Sequence, residues 1–193
     1  MRMMLRAAFA LPEPVVEDLR RVAGRLSVLP GVRPSQAVAL DVRVADLGNI
    51  VAADARALAA SVSRQFAQTA VPFLRASGVV VSPRGSVALT LGGDVDTLRE
   101  MATAVGLAAE RINLYVDRRS FRPEVVVASL DQQRPGSRVA AALEAIEPPV
   151  TEDWSIHELV LVRTRWGAAG GAAEVFERVP IGTGSGAAGV DGE

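Results

Sequence analysis

The spacing of apolar residues changes period several times along the chain, and each change predicts an element. Leu5 to Leu11 has strand character and is closed by Pro12. From Pro12 to Pro14 onward Val15, Val16, Leu19, Val22 and Leu26 recur at helical spacing, until Leu29-Pro30-Gly31 ends the segment. From Ala37 to Val44 the period is two: Val38, Leu40, Val42 and Val44 share one face, while Ala39, Asp41 and Arg43 share the other. Asp54 to Ala70 returns to helical spacing through Leu58, Ala59, Val62 and Phe66. Two short strands follow, Val79 to Val81 and Val87 to Leu91, separated by Ser-Pro-Arg-Gly turn chemistry. Asp94 or Asp96 can cap a helix carrying Leu98, Met101 and Val105, with Gly106 as its predicted stop.

Ile112 to Val116 alternates like a strand, and Phe121-Arg122-Pro123-Glu124 then leads into the apolar strand Val125-Val126-Val127. Gly136-Ser137 opens a predicted helix through Val139, Leu143 and Ile146, ended by Pro148-Pro149. Strands near Ile156 to Thr164 and Glu174 to Val179 flank a Gly-rich turn from Trp166 to Gly171. Residues 182–193 are mostly Gly, Ala and Ser with little to bury, which reads as a flexible tail after a single domain spanning 1–181. This order lacks the strict alternation of a doubly wound sheet and points to an α+β fold of two related lobes. Neither G-x-G-x-x-G after a strand nor G-x-x-x-x-G-K-[ST] occurs, so no nucleotide cofactor motif is present.

Composition narrows the function. The 193 residues carry a formal net charge of −1, which gives no global basic footprint for long nucleic acid but leaves a small anionic ligand open. There is no cysteine, which excludes disulfides, thiolate catalysis and cysteine metal sites and fits a reducing cytoplasm. Apart from a lone His157, every basic residue is arginine, and the abundance of Ala, Val and Gly is that of a GC-rich bacterial genome. No stretch reaches the roughly 18 apolar residues that a membrane span needs. Aromatic residues make up only 4%, so Trp154 and Trp166 read as packing or rim residues rather than base-stacking platforms.

Four runs, Arg6-Ala-Ala-Phe-Ala-Leu-Pro12, Val71 to Arg84, Phe121-Arg-Pro123 and Glu158-Leu-Val-Leu-Val-Arg-Thr164, resemble the 2H phosphoesterases. The resemblance is to the bacterial 2'-5' RNA ligase and RNA 2',3'-cyclic phosphodiesterase branch, and it extends from about residue 4 to Ile181. It implies a bilobal α+β fold: two pseudo-symmetric lobes of antiparallel sheet, helices on the outer faces and a central cleft. Each lobe of that family supplies a His-x-Thr/Ser motif, one imidazole accepting a proton while the other donates one, with the hydroxyls holding phosphate oxygens.

Here the second motif position, after Arg122-Pro123, reads Glu124-Val125-Val126. Counting back from Leu47-Gly48 places Asp41-Val42-Arg43 at the first motif, whereas anchoring on Pro34-Ser35 lands near Val38. One histidine cannot supply two imidazoles. The resemblance therefore implies a protein of this fold without histidine catalysis, binding a small nucleotide, RNA end or protein partner through the cleft, with Arg43 and Arg122 as ligand-binding residues. Within that cleft Arg43 is expected to pair with Glu124 or Asp41. The alternative is an active phosphodiesterase or ligase using Asp41 and Glu124 as acid/base groups or metal ligands. Against it, Arg43 and Arg122 favour ionised carboxylates, and no further metal-ligand spacing is present.

Overall fold

A computed structural model describes residues 2–36, 39–83, 85–116, 121–130, 153–167 and 170–182. The fold is α+β. In chain order its elements are β1 (Arg2–Ala10), α1 (Glu13–Leu26), β2 (Val32–Pro34), β3 (Asp41–Val51), α2 (Ala52–Phe66), β4 (Phe73–Val81), β5 (Ser86–Gly93), α3 (Val95–Glu110), β6 (Glu124–Leu130), β7 (Trp154–Ser155), β8 (Glu158–Gly167) and β9 (Gly170–Pro180). Among the described residues all nine strands join one sheet, in the order β7-β4-β5-β6-β3-β1-β8-β9 with β2 paired to β6, and all of its pairings are antiparallel.

Alternation along β1 explains how this sheet is covered. Leu5, Ala7 and Phe9 point into the main apolar cluster, which also takes the buried residues of α1, α2 and α3 together with Val42 and Val125. Ala8 belongs instead to a small separate cluster with Val160 and Val162. The described helices thus cover one face of the sheet, and the opposite face is left for the cleft. Phe9 anchors the covered face, stacking on Phe66 at 6.5 Å and meeting Phe121 edge-on at 6.5 Å. No helix among the described residues is long and apolar enough to cross a membrane.

Several expectations are corrected. Strand β3 starts at Asp41 and runs to Val51, well past the expected Val44; its pairing with β1 skips Val44 and Leu47, and these bulges blur the period of two. Ile112 to Val116 forms no strand. Burial does alternate there, but the backbone closes α3: the Leu114 N–H donates to the Ala109 carbonyl and the Asn113 N–H to that of Glu110, with Asn113 at φ 60°. That is a Schellman cap with asparagine in the left-handed position, so α3 runs through buried Gly106 to Glu110 instead of stopping. Asp94 sits at the N-cap of α3, yet its side chain accepts from the Phe73 N–H at 3.0 Å rather than capping the helix. Strands β2 and β7, only 3 and 2 residues long, left no periodic signal. The helix expected over 136–146, residues 183–193 of the tail expected over 182–193, Ala37, Val38 and the side chain of Trp166 lie outside the described residues.

Candidate functional site

The two tripeptides singled out by sequence meet at the centre of the sheet. Strands β3 and β6 are joined through the antiparallel pair Val42 and Val125. Both valines are buried in the core, so the flanking residues project from the opposite face. Antiparallel geometry sets Asp41 beside Val126 and Arg43 beside Glu124, one tripeptide running against the other. All four line a single open cavity of about 400 Å³, together with Arg122 and the rim residues Ser35, Asp46 and Ser86.

Local chemistry delivers Glu124 to this place. Phe121 is held by its edge-on contact with Phe9. Pro123 then forms the centre of a tight turn in which the Glu124 N–H donates to the Arg122 carbonyl at 2.8 Å, a conformation that suits proline's fixed φ. The Pro123 carbonyl accepts from the Leu91 N–H at 2.9 Å, fastening the turn to β5. On the far wall the Ser35 N–H donates to the Val127 carbonyl at 2.8 Å and holds the rim against β6.

Asp41 is the buried charged residue of the site, at 7% exposure. Its partner is Arg6, whose guanidinium donates to the Asp41 carboxylate from β1. Ala10 and Ala8 stand opposite Asp41 and Arg43 on β1 and leave room for the arginine to reach along the sheet. Burial raises the Asp41 carboxyl above its ordinary value, and the attraction of Arg6 and then Arg43 offsets only part of that cost. The expected pairing of Arg43 with Glu124 or Asp41 is therefore corrected: Arg43 faces Asp46 at 3.7 Å in an exposed, loose ion pair. The reason is the bulge at Val44, which leaves Arg43 and Asp46 on the same wet face. Sequence reading missed Arg6 as a site residue, although a charge in the middle of an apolar strand was its signal.

His157 stands apart. It is exposed in the turn between β7 and β8, where its carbonyl accepts from the Ile181 N–H at 2.8 Å, and it borders a separate shallow depression with Leu11, Pro12 and Arg178. Trp154 is buried in β7, and its indole N–H has no hydrogen-bond partner, which marks it as a packing residue. Among the described residues no group of three or more His, Asp or Glu side chains is placed to hold a metal ion.

No protein-family model and no curated protein sequence matches the chain. Solved structures do. Escherichia coli LigT in complex with 3'-AMP superposes with a TM-score of 0.73 at 17% identity, over 93% of this chain and 98% of LigT. This is a LigT-like fold. Escherichia coli LigT complexed with ATP gives a TM-score of 0.70 at 18% identity over 94% of this chain and 99% of the other. TT0787 of Thermus thermophilus gives 0.70 at 18% identity over 93% and 98%. In the LigT-like fold of this chain, the open face of the central strands carries the cavity just described.

Proposed function

We propose that this chain is a LigT-fold protein that binds a small phosphate-bearing nucleotide or RNA end in its central cleft and does not turn it over by histidine acid/base chemistry. The observation that carries this reading is the lining of the cleft. Asp41, Arg43, Glu124 and Val126 stand where the resemblance calls for two His-x-Thr pairs, and His157 lies in a different depression. The likeness to LigT structures holding 3'-AMP and ATP supports a nucleotide as the occupant. A cavity of about 400 Å³ suits a ligand of that size.

The electrostatics support binding better than catalysis. Asp41 is neutralised by Arg6, and Asp46 pairs with Arg43 across 3.7 Å in water, where such a pair contributes little. Arg43 is thus able to turn to a phosphate at small cost, with Arg122 on the same wall. Glu124, half-buried beside them, is an acceptor for ribose or base donors. Proton shuttling needs two groups that exchange protons near neutral pH. One observation favours the alternative of carboxylate catalysis, the upward push of burial on Asp41. Against it stands Arg6, which occupies the carboxylate a substrate would need.

Titration calorimetry with 3'-AMP tests the reading. Binding to the unaltered chain is expected, weakened about tenfold or more by Arg122→Ala and unchanged by His157→Ala, with no hydrolysis of 2',3'-cyclic nucleotides. Turnover of a cyclic phosphate that disappears in Glu124→Gln overturns it in favour of carboxylate catalysis.

A further inference from the structure

We infer that the chain carries a second anion site, separate from the cleft, between the end of β8 and the start of α2, which takes a nucleotide-sized ligand bearing phosphate. A cavity of about 560 Å³ opens there, larger than the cleft itself. Arg2, Arg163 and Arg165 line it, with Met3, Met4 and Phe176 supplying its apolar wall. It lies on the other side of the sheet from Asp41 and Glu124. In the ladder of β1 and β8, Leu5 stands opposite Arg163, and Leu5 points into the helix-covered core. Arg163 and, two residues on, Arg165 share that face.

Three observations point to an anion. The first is charge density in a chain whose formal net charge is −1. Arg2, Arg163 and Arg165 line the cavity and Arg56 reaches over its aromatic wall, while Glu174 is the carboxylate that answers both Arg163 and Arg165. One carboxylate cannot neutralise two guanidinium groups, so the cluster keeps a positive field that an incoming phosphate would complete. The second is the arrangement of the arginines. Arg56 and Arg163 each lie 5.7 Å from the Phe176 ring centroid, which fixes two cations against a flat apolar surface. Arg165 meets Glu174 at 3.4 Å and is well exposed, so its remaining donors are available to a ligand. The third is the chemistry of the remaining wall. Met3, Met4 and Phe176 provide adaptable and planar apolar surface, and Asn49 and Thr164 add neutral hydrogen-bonding groups. Charge at one end and an apolar wall with a few polar groups at the other is the requirement of a nucleoside phosphate rather than of an inorganic anion.

The site stands independently of the cleft, and the experiment separates them. The full chain is titrated with ATP by calorimetry, alongside Arg165→Glu, Arg163→Gln and the cleft variant Arg122→Ala. Two binding events per chain are expected. Arg165→Glu should weaken one of them at least tenfold and leave the event sensitive to Arg122→Ala intact, while inorganic pyrophosphate competes more weakly than ATP. Arg163→Gln breaks a partly buried ion pair, whereas Arg165 is 62% exposed and its replacement is expected to leave the thermal unfolding midpoint unchanged. Arg165→Glu therefore decides the matter even if the other variant fails to fold. A single event abolished by Arg122→Ala and indifferent to Arg165→Glu overturns the second site and leaves the cleft reading standing. A single event lost in Arg165→Glu and indifferent to Arg122→Ala supports this site and overturns the cleft.

Discussion

Arg6 and Asp41 hold each other with side chains only 11% and 8% exposed, and their balance sets a pH dependence. Because burial raises the Asp41 carboxyl, the folded chain binds a proton there that the unfolded chain has already released. The stability contributed by protonation is fully present below the ordinary carboxylate value and is lost as pH rises through the raised one. Asp41→Asn removes this component, so its unfolding free energy, measured by urea titration between pH 4 and 7, is expected to fall less with rising pH than that of the unaltered chain. Arg6→Met leaves a buried carboxylate without its cation and is expected to cost about 3–5 kcal/mol at pH 7, part of it regained as the pH is lowered and Asp41 protonates. A stability of Arg6→Met that does not respond to pH would show that Asp41 is better solvated than its surroundings indicate. Asp41, Arg43, Arg122 and Glu124 were visible as charges in or next to apolar strands, and it was the resemblance to a known family that made them candidates. Arg6 was equally visible, but its partner was not. Pairing across strands depends on register, and the bulges that set that register leave no mark on local periodicity.

The described helices followed the apolar period because each buries one face. Their ends did not, because ends are decided by backbone hydrogen bonds. The stop of α3 shows this: Gly106 is a reasonable terminator by type, yet the helix continues until the carbonyls of Ala109 and Glu110 accept from Leu114 and Asn113 in the turn that follows. The start of α3 depends on a glycine whose role is steric. Gly93 has φ +93°, and a Cβ built there would lie 2.3 Å from the Phe73 carbonyl oxygen. The same carbonyl accepts from the Asp94 N–H at 2.9 Å, so the strand β4 and the entry to α3 are clamped at one point. Neither the carbonyl nor the backbone angle can yield cheaply. Gly93→Ala is expected to lose about 3 kcal/mol or more in urea unfolding, whereas Gly24→Ala, in α1 with open space around it, is expected to gain up to about 1 kcal/mol from helix propensity. Equal effects of the two substitutions would mean that the Gly93 junction relaxes.

At the scale of the molecule, the two halves of the sheet meet through β3 and β6, with Val42 paired to Val125. That pairing gives the cleft its symmetry: each tripeptide offers its first and third residues to the cavity and its second to the core. The convergence of the cleft residues was not readable from local pattern, since 83 positions separate Asp41 from Glu124, and was expected only from the resemblance. If the geometry of the seam is retained and only the chemistry has changed, restoring the chemistry should restore the reaction. The variant combining Asp41→His, Arg43→Thr, Glu124→His and Val126→Thr places an imidazole and a hydroxyl on each strand. Arg6 then lies beside the imidazole introduced at position 41 and lowers its pKa, which favours the neutral, proton-accepting form there and leaves the one at position 124 to donate. Hydrolysis of a 2',3'-cyclic nucleotide is expected from the fourfold variant at a rate about 100-fold or more above either pair of substitutions alone, because acid and base act together on one phosphate. Its pH profile should be bell-shaped, as required of two imidazoles in opposite protonation states. Equal, background rates in all three folded variants would show that the distance or orientation across the Val42 and Val125 seam, and not only the residues on it, differs from what the reaction requires.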